Sequence, residues 1–132
     1  MRSMSKLPII ILLVVFVGTA AAFTRPPAGK FKNLQVLPQD ISELKLDSIM
    51  ESYNKALGVN CKFCHVTSVV FPGTEMDYAS DKEPMKENAR KMMRMTIEIN
   101  KTHFYFNKEE RPEYLNVVTC RTCHRGEPFP EQ

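Results

Sequence analysis

All four cysteines of this 132-residue chain fall in two C-x-x-C pairs, and a histidine directly follows each pair. The two segments are VNCKFCHVTS, with Cys61, Cys64 and His65, and VTCRTCHRGEP, with Cys120, Cys123 and His124. In a helical turn, positions i, i+3 and i+4 share a face, so each motif groups two thiols and an imidazole. Two thiols one turn apart match the two vinyl groups on one edge of a porphyrin, and C-x-x-C-H is the motif for haem c attachment.

Zinc binding and disulfide formation are the other uses of paired cysteines. Zinc knuckles are usually separated by about 12 to 20 residues, whereas the whole of residues 65–119 lies between these pairs. Disulfides suit an exported chain with an even number of cysteines, but they do not explain a histidine after both pairs. We therefore predict two covalently bound haem c groups. The predicted attachment and proximal iron ligands are Cys61, Cys64 and His65 for haem 1, and Cys120, Cys123 and His124 for haem 2.

Residues 1–22 have the features of a secretory signal peptide: Arg2 and Lys6 are followed by the apolar run 9–17 and by three alanines. An uncleaved anchor is the alternative, because residues 7–23 reach the shortest membrane-spanning length of about 17 residues. Both interpretations predict export, to the periplasm or to the outer face of the inner membrane. Residues 23–35, which include FTRPPAGK, are predicted to be an extended arm or linker.

The predicted dihaem cytochrome c domain therefore spans residues 36–132. Removal of Arg2 and Lys6 with the signal lowers the formal net charge from +3 to +1, which gives no indication of nucleic acid binding. The chain has no tryptophan and a modest apolar content, so a self-sufficient core is marginal at this size. We expect the prosthetic groups to fill part of the interior.

Two long helices are predicted. The first is capped by Asp40 or Ser42, runs to about Leu57 and stops at Gly58. Its apolar stripe contains Leu46, Ile49, Met50, Tyr53 and Leu57. A turn at Gly58 would fold the first haem segment back, which places Met50 over the second face of haem 1.

The second helix lies within residues 80–106, with capping-box spacing between Ser80 and Glu83 and with Pro84 in the first turn. One face is predicted to contain Met85, Ala89, Met92, Met95, Thr96 and Ile99, while Met93 points elsewhere. Met92 or Met95 would be the sixth ligand of haem 2; ordinary core packing is the alternative for all of these methionines. His103 is a further candidate ligand, and residues 66–79 are predicted to be a loop. The expected fold is mainly α, with two repeats of a methionine-bearing helix followed by a short haem-binding helix.

The segments ARKMMRMTIEIN and VTCRTCHRGEPFP together resemble the photosynthetic reaction-centre cytochrome c subunit family, whose helix pattern A-R-x-M-x-x-M-T-x-x-x-N precedes its haem segment. The resemblance covers roughly residues 36–130 and implies that Met92 and Met50 are the axial methionines. The family's subunit is tetrahaem, so this chain corresponds to half of it. One family haem takes a distant histidine as its sixth ligand, and Phe106 stands at the matching place here.

An iron that carries both histidine and methionine has no open position for a substrate. We therefore predict an electron carrier and not an enzyme, one that relays single electrons between periplasmic or membrane-bound redox proteins, such as a reaction centre or a respiratory complex. The alternative is a dihaem peroxidase or gas-binding protein with one five-coordinate iron, for which His103 is the only evident distal acid-base group. Arg90 and Arg125 are expected either to bind haem propionates or to be solvated.

Overall fold

The computed structural model describes residues 31–69 and 75–130. The predicted signal or anchor lies outside the described residues, as does most of the predicted arm. In the part of the chain that is described, no helix combines the length and the apolarity needed to cross a bilayer.

The described part of the chain is mainly helical, which confirms the predicted fold class. Its helices are α1 (Glu43–Leu57), α2 (Pro84–His103) and the short α3 (Cys120–His124), and single 3₁₀ turns cover Cys61–Phe63 and Pro112–Tyr114. Two very short strands, β1 (Val66–Thr67) and β2 (Met76–Asp77), pair in antiparallel fashion. The prediction that residues 66–79 form a loop is therefore only partly correct, because β1 and β2 within this segment pair with each other.

Helix α1 has the predicted boundaries. The Ser42 hydroxyl accepts a hydrogen bond from the Lys45 backbone N–H at 3.3 Å, as expected of an N-cap. Gly58 ends the helix in the left-handed region at φ +65°, and its N–H binds the Asn54 carbonyl. The chain therefore reverses at Gly58, directly before the first C-x-x-C-H motif.

Helix α2 begins three residues later than a Ser80 cap would require. Glu83 is the N-cap, and its carboxylate accepts a 3.5 Å hydrogen bond from the Met85 N–H. The predicted capping box is wrong because Pro84 disfavours helical geometry at the residue before it and is itself suited to the first helical position. Ser80 instead accepts a hydrogen bond from the Lys82 N–H. The helix ends at His103 and does not continue to Phe106.

The hydrophobic core is small and contains Met93 of α2 rather than the neighbouring methionines. Leu37, Ile41 and Met93 form the buried cluster. The partly buried residues packed against it are Phe31, Leu34, Val36, Leu46, Ile49, Met50, Tyr53 and Tyr114. Met92 and Met95 are 44% and 46% exposed. The face of α2 that carries these two methionines is thus separate from the face that builds the core.

Two buried cations of α2 bind the segments around Asn33 and Asp81. Arg90 forms ion pairs with Asp81 at 3.0 Å and Glu87 at 3.2 Å, and it donates to the Asn33 carbonyl. Lys86 pairs with the same Asp81 at 3.2 Å. Buried cations need such compensation, because their burial is otherwise costly. The expectation that Arg90 is solvated is not met, because its guanidinium is buried and pairs with carboxylates of the chain.

Candidate haem-binding sites

The second C-x-x-C-H motif borders a cavity of about 490 Å³, within the range of about 300–1,000 Å³ typical of small-molecule and cofactor sites. Three parts of the chain surround it: α2, α3 and the segment after α3. The lining residues are Met92, Met95, Thr96, Thr119, Cys120, Cys123, His124, Pro128, Phe129 and Pro130. The structure thus brings together both thiols, the histidine and the two candidate methionines that the sequence associates with haem 2.

The His124 ring is held in a tautomer suited to metal binding. Its Nδ1 lies 2.9 Å from the Glu127 carbonyl oxygen. A carbonyl can only accept, so Nδ1 carries the proton and Nε2 keeps a free lone pair. The chain reaches this position through a left-handed turn, with Arg125 at φ +53° and Gly126 at φ +100°. Such a backbone partner is the usual way in which proteins orient a metal-binding histidine.

Met92 and Met95 both line the cavity, and they are one helical turn apart on α2. Each thioether is therefore on the side of α2 that faces the second motif. The geometry does not distinguish Met92 from Met95 as the ligand, and the preference for Met92 stays a prediction. His103, exposed at the last position of α2, is not among the residues that line this cavity.

The first motif differs from the second in its backbone. Cys61–Phe63 form a single 3₁₀ turn, and Asn60 caps it by accepting the Lys62 N–H at 3.0 Å. The N–H groups of Cys64 and His65 both bind the Cys61 carbonyl, at 3.3 and 3.0 Å. A short haem-binding helix is predicted here, and the structure has a single 3₁₀ turn, because the chain turns into β1 directly after His65.

His65 has a buried ring nitrogen that the protein leaves unsatisfied. Its Nδ1 has no hydrogen-bond partner among the described residues, and the ring meets Tyr78 edge to face at 5.2 Å. Burial lowers the pKa of His65, and the positive charge of Lys86 lowers it further, so the neutral form that can bind a metal is favoured. Unlike His124, whose Nδ1 is bound to a carbonyl, His65 has no hydrogen bond at Nδ1 among the described residues that fixes which ring nitrogen would bind a metal.

Met50 lies on α1 and packs against the cluster of Leu37, Ile41 and Met93. Four residues further on, Asn54 Nδ2 lies 3.7 Å from Cys61 Sγ. Residues at i and i+4 share a helix face, so Met50 is on the side of α1 that meets the first motif. Its described contacts are with the core, and its place opposite His65 stays a prediction.

The two motifs lie side by side at the C-terminal end of α1. The Gly126 N–H donates to the Ala56 carbonyl at 2.8 Å. Phe63 of the first motif meets Phe129, which lines the cavity beside the second motif, edge to face with ring centroids 6.1 Å apart. Prosthetic groups attached to both motifs would therefore be close neighbours.

All four cysteine thiols are free. Burial raises the pKa of the Cys64 and Cys120 thiols, so the protonated form predominates at neutral pH. In the described part of the chain, no group of three or more His, Cys, Asp or Glu side chains is arranged to hold a metal ion.

Sequence reasoning missed several residues that shape these sites. Phe129 and the prolines beside it line the cavity, and Asn54 contacts Cys61. The Glu127 carbonyl orients His124 through its backbone, which no side-chain pattern reveals. Residues 128–130 could have been suspected from their closeness to the motif. The contact of Asn54 with Cys61 depends on the chain reversal at Gly58, which brings Cys61 back towards α1.

The family described as "Photosynthetic reaction centre cytochrome C subunit" matches residues 28–132. Among curated proteins, the chain is 35% identical to cytochrome c-554 of Chloroflexus aurantiacus over 98 residues, which cover 73% of this chain and 20% of that protein. It is 31% identical over 94 residues to the photosynthetic reaction center cytochrome c subunit of Roseobacter denitrificans, covering 64% of this chain and 24% of the relative. The matches thus span only about a fifth to a quarter of these relatives. No solved structure gives a significant match.

Proposed function

Since the chain belongs to the photosynthetic reaction centre cytochrome c subunit family, we propose that it is a dihaem c-type cytochrome. Its role is to transfer single electrons between redox partners in the periplasm. The observation that carries the proposal is the cavity at which Cys120, Cys123 and His124 face two methionines of α2. Further support comes from the first motif and from its closeness to the second motif.

At this cavity, His124 and a methionine of α2 would hold the iron of one haem. His124 offers Nε2 because the Glu127 carbonyl holds Nδ1. Met92 and Met95 both line the cavity, and we propose Met92 as the thioether ligand. A pair of axial ligands leaves no position for a substrate, which favours electron transfer over catalysis.

The cysteines supply the attachment. The two cysteines of each motif would hold one haem through thioether bonds to its two vinyl groups. Bound haem supplies an iron that takes up and releases one electron, with a potential that a methionine ligand raises.

For the first site we propose Cys61 and Cys64 as attachment residues, with His65 and Met50 as axial ligands. The burial of the His65 ring lowers its pKa and favours the neutral form that can bind a metal, which supports this assignment. The contact between Asn54 and Cys61 supports the placement of the motif beside the helix face of Met50. The Gly126–Ala56 hydrogen bond and the Phe63–Phe129 contact hold the two sites close, as rapid exchange between two haems requires.

The partners that we propose are periplasmic or membrane-bound electron donor and acceptor proteins. A relative is named as a photosynthetic reaction center subunit, so a reaction centre is one proposed acceptor or donor, and a respiratory complex is another. Location in the periplasm follows from the predicted export signal. If that signal is retained as an anchor, the domain is held at the inner membrane.

Expression with a c-type cytochrome maturation system would test the proposal. Pyridine haemochrome analysis and intact mass should give two haems for the wild type. One haem should remain in Cys61→Ser/Cys64→Ser and in Cys120→Ser/Cys123→Ser. A wild-type content of one or none would disprove the dihaem assignment.

The optical spectrum separates a carrier from an enzyme. We expect low-spin bands, the weak near-red band of methionine bound to ferric iron, and no response of the reduced protein to carbon monoxide. A high-spin signal with carbon monoxide bound would instead indicate a five-coordinate iron and a peroxidase or gas-binding role.

A further inference from the structure

Asn100 is the least exposed polar side chain among the described residues, at 1% exposed. Burial of a primary amide is costly unless its donors and acceptor are paired. Here they are: Nδ2 donates to the Leu115 carbonyl at 2.9 Å and to the Val118 carbonyl at 2.8 Å. Oδ1 accepts the Val118 N–H at 2.8 Å.

These three bonds connect α2 with the segment that leads into α3, and both helices border the cavity at the second motif. Asn100 is near the C-terminal end of α2, the helix that carries Met92 and Met95. Val118 directly precedes Thr119, the N-cap of α3, and Cys120 is the first residue of that helix. One amide therefore fastens both the N–H and the carbonyl of Val118 to the methionine-bearing helix.

We propose that Asn100 is a positioning residue for haem 2, a role that rests on the proposed function. By fixing residues 115–118 on α2, it sets the separation across the cavity between the methionine face and His124. It does not touch the reacting iron in this role. Its effect is to keep a thioether within bonding distance of the iron that His124 holds.

The bonding pattern requires asparagine. Two donors and one acceptor must lie in one plane at the end of a short side chain. Aspartate would present an oxygen to the carbonyls of Leu115 and Val118, which can only accept. Glutamine keeps the same amide but carries it one methylene further out, and so displaces the segment instead of releasing it.

Helix α3 has a second, independent attachment to the fold. The Gly126 N–H binds the Ala56 carbonyl of α1 beyond the C-terminal end of α3. Loss of the Asn100 bonds should therefore loosen the entry to α3 while its exit stays docked. The first motif, which is on the other side of Gly58, should be spared.

The experiment compares Asn100→Asp and Asn100→Gln with Asn88→Asp and Asn88→Gln in the full-length, matured protein. Asn88 is an exposed asparagine of the same helix and is the matched control. The readouts are haem attachment mapped by mass spectrometry of each C-x-x-C-H peptide, the near-red methionine–iron band, and the potentials of the two haems. Carbon monoxide binding to the reduced protein reports an open iron.

In both Asn100 variants, we expect the first haem to keep its attachment, ligation and potential. At the second, the methionine–iron band should be lost, and carbon monoxide should bind one haem per chain. The Asn88 variants should match the wild type in every readout.

Asn100 variants that behave like the Asn88 variants would overturn the inference, and so would equal changes at both haems, which would indicate a general role in stability. If Asn100→Asp loses both haems through misfolding, the milder Asn100→Gln decides between these outcomes. If the wild type carries no haem at Cys120 and Cys123, the proposed function fails as well. If it does carry that haem and only the Asn100 effect is missing, the inference alone fails.

Discussion

The carbonyl oxygen of Gly126 occupies the position that a β-carbon on Gly58 would take. Gly58 reverses the chain at the end of α1, before the first C-x-x-C-H motif, and Gly126 follows the second. The hydrogen bond from the Gly126 N–H to Ala56 fixes this approach. Both attachment segments thus meet at one backbone contact that tolerates no side chain at residue 58.

Gly58→Ala should destabilise the protein more than Gly126→Ala. Both residues have positive φ, +65° and +100°, so alanine at either costs about 1–3 kcal/mol of backbone strain. Only at Gly58 would the new methyl group also overlap the Gly126 carbonyl and force the motifs apart; at Gly126 nothing lies within 4 Å. Denaturant titrations of the two variants measure the difference. Equal losses of unfolding free energy would show that the contact is unimportant.

Met92→Leu should keep haem 2 attached but remove its sixth ligand, because leucine has similar volume and no sulfur. Met95→Leu should leave the ligation unchanged, although Met95 lines the same cavity. The near-red methionine–iron band and carbon monoxide binding measure the change. The same ligation change in both variants, or in neither, would contradict the assignment of Met92.

Met50→Leu should open the iron of the first haem in the same way. Met93→Leu is the matched control, because Met93 belongs to the buried cluster on which Met50 packs. A swap of similar volume costs less than about 1.5 kcal/mol, so both variants should fold. If carbon monoxide binds to neither, Met50 is a core residue and the first haem has another ligand.

Asp81→Asn should make the stability of the protein less sensitive to acid. The hydrogen bond from Asn33, followed by those from Arg90 and Lys86, holds the pKa of Asp81 well below its ordinary value of 3.8. A lowered pKa contributes stability that is fully present above the ordinary value and is lost as the pH falls from there through the folded-state pKa.

Wild type and Asp81→Asn should therefore differ most above pH 4 and converge as the pH is lowered below it. Denaturation midpoints measured from neutral to acidic pH test this. Asp47→Asn, which removes an exposed carboxylate of α1, is the control. A constant difference between wild type and Asp81→Asn at every pH would rule out the titration of Asp81 as its cause.

The features that the sequence determined by itself act over a few residues. The two C-x-x-C-H motifs identify the chemistry, Ser42 and Gly58 set the ends of α1, and Pro84 starts α2. The start of α2 at Pro84 could have been predicted from the sequence, because proline disfavours helical geometry at the residue before it. Each depends on a cap, a turn or a ligand spacing within one or two helical turns.

Tertiary structure decided which face of α2 builds the core, and so why Met93 is buried while Met92 and Met95 line a cavity. It also decided that Gly126 meets Gly58 and that Asn100 holds Val118. Helical periodicity shows that faces exist but not which neighbour each one meets. That choice depends on contacts between residues distant in sequence, because burial of an amide or an apolar side chain is favourable only where the folded chain supplies its partners.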